Sequence, residues 1–99
     1  MTTITFKRSG GFVGKGMRFQ FTLDELPRQD AEALVHLIEE AGFFSLPENT
    51  IVKFNPDEYQ YTITVEAGPI CHTVRTNDTM MPASLRPLVD ELSLRTFVG

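Results

Sequence analysis

The sequence predicts an α+β fold: a four-stranded antiparallel sheet with two helices packed on one face, in the order β-β-α-β-β-α. Three observations predict it. Two pairs of segments alternate apolar and polar residues, each pair joined by a glycine-containing connection, as half-buried hairpin strands do. Two other segments carry apolar residues at helical spacing. The 99 residues, 41% hydrophobic and 22% charged, suit one globular domain over 1–99 with a core that needs no staples.

In the first strand, residues 3–8, Ile4 and Phe6 oppose Thr3, Thr5 and Lys7. In the second, residues 17–23, Met17, Phe19, Phe21 and Leu23 oppose Arg18, Gln20 and Thr22. The glycine-rich stretch 10–16 joins them as a long hairpin tip. A helix follows, with Pro27 in its first turn, Asp30 and Glu32 at the positive end of its dipole, and Gly42 as its left-handed stop. Its apolar stripe is Ala31, Leu34, Val35, Ile38 and Ala41, widened by Leu37. Phe43-Phe44-Ser45-Leu46-Pro47 reads as a hydrophobic clamp from the helix end to the sheet, and residues 48–56 as a surface loop. Tyr59, Tyr61, Ile63 and Val65 form the apolar side of the third strand, and Ala67-Gly68-Pro69 turns it into a fourth over residues 70–76. Leu85, Leu88, Val89 and Leu92 mark the last helix, whose start near Ser84 follows from Pro87 lying in its first turn.

Composition narrows the function. No apolar run approaches the roughly 20 residues that span a bilayer, and residues 1–8 lack the apolar core of a signal peptide. With a single cysteine, Cys71, these features lead us to expect a cytoplasmic protein in a reducing compartment, with no membrane partner. The net charge of −4 is uneven: Lys7, Arg8, Lys15 and Arg18 precede the first acid, Asp24, and the remaining chain sets five basic against thirteen acidic side chains. An acidic total argues against general nucleic-acid binding, which needs a basic surface to displace counterions. The basic hairpin can meet an acidic partner or merely keep an exposed tip soluble.

Residue types that do chemistry fail to converge. Cys71 and His72 are adjacent on a strand and point to opposite faces, so they cannot share a metal, and no C-x-x-C spacing supplies further ligands. His72 shares its face with Ile70 and Val74, which suits a hydrogen-bonded, partly buried ring. His36 stands four residues from both Glu32 and Glu40, the pattern of a solvated charge ladder. The pairs Glu39-Glu40 and Asp90-Glu91 diverge by about 100° on their helices, and no serine sits in a G-x-S-x-G context. The 10–16 stretch has neither P-loop spacing nor a following helix. No catalytic residue, cofactor or metal is expected, which leaves binding to another protein as the leading class of function. Phe12 and Val13 stand between glycines at the hairpin tip, where an exposed aromatic can anchor in a partner's pocket or fold back over the sheet edge.

Taken in register, several motifs resemble the emfourin family, bacterial inhibitors of protealysin and other thermolysin-like metalloproteases. They are Ser9-Gly10-Gly11-Phe12, Leu26-Pro27, Phe43-Phe44-Ser45-Leu46-Pro47 and Asp57-Glu58-Tyr59-Gln60-Tyr61-Thr62-Ile63-Thr64-Val65. His72-Thr73-Val74-Arg75, and Met81-Pro82 through Leu85-Arg86-Pro87-Leu88, complete the set. The resemblance implies a non-enzymatic inhibitor that occludes the zinc-containing cleft of a thermolysin-like protease. On that implication the partner-binding residues are Arg8, Gly10, Gly11, Phe12, Val13, Lys15 and Arg18, with Phe12 entering an apolar specificity pocket and the cations steering toward an acidic cleft. Residues 48–56 match nothing diagnostic and leave room for partner selectivity. The runner-up is an adaptor for a different protein, engaged by strand addition at a sheet edge; a small hydrolase ranks last.

Overall fold

The computed structural model describes residues 2–10, 16–51 and 57–98, the side chains of 96–98 excepted. Strand β1 (Thr2–Gly10) pairs with β2 (Met17–Thr22), and β3 (Tyr59–Ala67) with β4 (Ile70–Asn77). Helix α1 (Arg28–Ala41) separates the hairpins and α2 (Arg86–Val98) follows them. The hairpins join through an antiparallel β1–β3 pairing, which gives the sheet order β2-β1-β3-β4. The expected order and fold class are those observed.

Register explains the layering. Phe21, Ile4, Val65 and His72 lie side by side across the four strands, and Phe19, Phe6, Ile63 and Val74 form the next row. Against this face pack Leu34, Ile38 and Ala41 of α1, Leu85 just before α2, and Leu88, Val89 and Leu92 of α2, all in one buried cluster. Both helices therefore cover the same side of the sheet. The other side is polar, with threonines at its centre: the Thr64 and Thr73 hydroxyls are 2.9 Å apart across β3 and β4.

Element ends differ from the expectations in small, explicable ways. Leu23 leaves β2 for a 3-10 turn, Leu23–Glu25, which keeps its side chain buried. Pro27 caps α1, and Gly42 ends it at φ +62°, the left-handed conformation that costs glycine little. Helix α2 starts at Arg86, two residues later than expected, after a turn closed by Leu85 N–H to the Pro82 carbonyl at 3.0 Å. The Ser84 hydroxyl instead donates to the Ala41 carbonyl at 3.0 Å, joining the segment before α2 to the last residue of α1. Only part of the 43–47 clamp is buried: Phe43 packs edge-on against the His72 ring, while Phe44 is 43% exposed.

The segment after the clamp is not simply a surface loop. Asn49 bridges Arg75 in parallel register, with Arg75 N–H bonded to the Glu48 carbonyl at 2.8 Å and Thr50 N–H to the Arg75 carbonyl at 2.9 Å. The Thr50 hydroxyl also donates to Thr76 Oγ1 at 2.7 Å. This short ribbon covers part of the β4 edge, where exposed backbone groups would otherwise template pairing with another chain.

Candidate functional site

Pairing of Gly10 with Tyr59, and of Gln60 with Asn77, brings three connections to one end of the sheet. Their described ends are Gly10 and Gly16 between β1 and β2, Asp57 and Glu58 before β3, and Asp78 after β4. The tight β3–β4 turn lies at the opposite end. The convergence follows from strand direction: β1 ends where β3 begins and β4 ends.

The described part of this end is braced by polar contacts. Asp78 accepts the Tyr59 N–H at 3.2 Å and the Tyr61 hydroxyl at 2.9 Å, while Arg86 donates to the Asp78 carbonyl at 3.2 Å. Glu58 accepts from Thr79 through both its N–H and its hydroxyl. Asn77, almost fully buried, accepts the Met80 N–H at 2.8 Å and closes the turn. Burial first, then the Asp78 hydrogen bond and the Asp78 charge, hold the Tyr61 phenol above its usual range, so it stays a neutral donor. Aromatic packing continues the brace: Tyr61 stacks on Phe6, and the Arg8 guanidinium lies 4.6 Å from the centre of the Tyr59 ring.

Gly10 is the point where β1 leaves this frame. Its φ is +87°, and a Cβ there would meet the Glu58 carbonyl oxygen at 2.6 Å. Only glycine fits on both counts, which gives the Ser9-Gly10 motif a physical reason.

Of the partner-binding residues inferred from the sequence, Gly11, Phe12, Val13 and Lys15 lie outside the described residues. Gly10 stands at the base of the tip. Arg8 and Arg18 come close in the hairpin but on opposite faces: Arg8 pairs with Met17 on the helix side, whereas Arg18 pairs with Lys7 on the polar side. A shallow groove of about 300 Å³ at the tip's base is lined by Lys7, Arg8, Ser9 and Arg18, among others. Lys7, part of the basic hairpin but not one of the inferred partner-binding residues, lines this groove and pairs with Arg18, outward as its alternation with Ile4 and Phe6 requires. The sequence leaves the role of Tyr61 unassigned beyond the core, because its Asp78 partner lies 17 residues away.

Both histidines make local contacts. His72 Nε2 lies 2.8 Å from the Leu46 carbonyl and its ring packs on Phe43, the hydrogen-bonded, partly buried histidine expected. His36 reaches Glu40 at 3.5 Å on an exposed helix face. Among the described residues, no three His, Cys, Asp or Glu side chains gather to hold a metal, and no helix is long and apolar enough to cross a membrane. A larger depression of about 370 Å³ lies at the other end of the molecule, lined by Thr2, Leu23 and the exposed Glu32, His36 and Glu39 of α1.

Comparison with known proteins matches residues 6–93 to the family model described as Emfourin. Among solved structures, the chain is similar to emfourin from Serratia proteamaculans, described as an M4 family peptidase inhibitor. That likeness has 16% identity, covers 88% of this chain and 84% of that one, and has a TM-score of 0.48. No curated protein matches.

Proposed function

This chain belongs to the emfourin family, and from that premise we propose that it inhibits a thermolysin-like, M4-type zinc metalloprotease by occluding the active-site cleft without catalysis. The protealysin type is the first enzyme to try. The observation that carries the reading is the convergence of three connections on one braced end of the sheet. An inhibitor that fills a cleft gains affinity when its inserting end is held in place before binding, because less ordering entropy is lost on association. The Asp78, Glu58 and Asn77 contacts supply that order for the described part of the end.

In this reading Gly10, Gly11, Phe12 and Val13 form the inserting tip, with Arg8, Lys15 and Arg18 at its base. Phe12 enters an apolar specificity pocket as a buried anchor. The zinc belongs to the partner. The encounter takes place in the cytoplasm, where a lone exposed thiol such as Cys71 stays reduced.

The test is a titration of purified thermolysin-like proteases, protealysin-type enzymes included, against a dilution series of this protein. Stoichiometric loss of activity without cleavage of the added chain supports the proposal. Phe12→Ala is expected to weaken inhibition by about 2 kcal/mol, roughly thirtyfold in Ki. Unchanged Ki in the folded variant would move the anchor to another connection. The second reading, an adaptor that accepts an added strand, is favoured by β2, which among the described residues pairs with β1 alone. Absence of inhibition by folded protein at micromolar concentration would favour that reading.

A further inference from the structure

The polar face of the sheet carries a pattern that only the register makes visible. Arg18 pairs with Lys7, Lys7 with Thr62, and Thr62 with Arg75, so three cations lie in one row across all four strands. At a strand spacing of about 4.8 Å the row spans roughly 14 Å. Lys7, Arg18 and Arg75 are exposed, and among the described residues none has a carboxylate within ion-pair distance. The one acid that β1–β4 place on this face is Glu66, four residues along β3 from Thr62 and so roughly 13 Å away. Like charges opposite one another on a sheet are destabilising, and Lys7 with Arg18 is such a pair.

The opposite layer has the reverse sign. The 3-10 turn and the two helices carry eight carboxylates against three guanidiniums. A chain of net charge −4 thus presents one polar, basic sheet face. Three cations would displace too few counterions to hold nucleic acid tightly at physiological salt, and the acidic layer opposes it. An acidic protein surface fits better.

Position selects which protein. Lys7 is three residues from Gly10, about 10 Å from the end of the sheet. A body that inserts this end into a cleft brings its two flanks against the two rims, one flank helical and acidic, the other this sheet face. We propose that the Arg18–Lys7–Thr62–Arg75 row docks against an acidic rim of the protease cleft, and that it sets the rate and orientation of approach. This rests on the inhibitor reading and extends it to Arg75, a residue remote from the hairpin in sequence.

The test measures the association rate constant for a protealysin-type protease that the wild-type protein inhibits, from low salt to about 0.5 M. It compares wild type with the double reversal Lys7→Glu/Arg75→Glu, each variant checked for folding by circular dichroism. Lys7→Gln/Arg75→Gln replaces it if the reversal fails to fold. The reversal is expected to slow association about tenfold or more at low salt and to flatten its salt dependence, with a smaller change in dissociation. An association rate equal to wild type at every salt overturns the row's role while leaving the inhibitor reading intact. No inhibition of any such enzyme by wild type overturns the inhibitor reading, and the row's assignment to that partner with it. Tight binding of a single-stranded oligonucleotide at about 0.15 M salt, lost in the same variants, would reassign the row to nucleic acid.

Discussion

Tyr61 shows how a single hydroxyl ties the core to the candidate site. Its ring is buried in the core beside Phe6, and its hydroxyl donates to Asp78, which also holds the start of β3. Removing that donor in Tyr61→Phe leaves Asp78 its Tyr59 N–H and a nearby Arg86, so the expected loss at neutral pH is about 1–2 kcal/mol in a urea titration. The same group predicts alkaline behaviour. Its folded pKa is raised, so between the unfolded value near 10 and the folded one the unfolded chain has released a proton that the native protein keeps. Stability is therefore fully present below about pH 10 and falls as pH rises beyond it. The urea midpoint of wild type should drop more steeply above that pH than that of Tyr61→Phe. Parallel curves for the two proteins would mean that the phenol does not titrate in this way.

At the scale of elements, alternation and helical spacing were enough to order the strands and helices along the chain, but contact partners were harder to see. Helix α1 illustrates the difference. Its sequence stripe includes Val35, yet Leu34, Ile38 and Ala41 form the buried line while Val35 is 39% exposed. A residue one position from Leu34 is rotated by about 100°, so it stays inside only where the neighbouring layer is wide enough to reach it. We expect Ile38→Ala to cost about 3 kcal/mol and Val35→Ala less than about 1 kcal/mol, both read from denaturant midpoints. Equal costs would put the stripe's centre elsewhere. Strand order was illegible for a related reason. The β1–β3 pairing joins residues about 50 or more apart and leaves no local periodicity, and the 48–50 ribbon on β4 is held mainly by backbone bonds that no side-chain pattern encodes. The candidate site suffered likewise: glycines and Phe12 marked the tip, but Lys7 and Arg75 share a row only once both registers are fixed.

The whole molecule is a two-layer sandwich with a single core, and its Cα radius of gyration of 13.1 Å is close to the roughly 13 Å expected of a compact chain this long. Strand β3 contributes Tyr61, Ile63 and Val65 to the core shared by both helices, and its first residues also carry the braced end. The candidate site should therefore not melt ahead of the rest, which an inhibitor with a preorganised inserting end requires. The chain offers a direct measurement. It has no tryptophan, and its two tyrosines, Tyr59 and Tyr61, both sit at the braced end, so tyrosine fluorescence reports that end while far-UV circular dichroism reports helices and sheet together. The two signals should give one coincident denaturant transition, as small single domains usually do. A fluorescence midpoint well below the dichroism midpoint would show the end opening on its own. Affinity would then carry an ordering cost at each encounter, and substitutions at Asp78 would weaken inhibition without lowering the stability of the remaining fold.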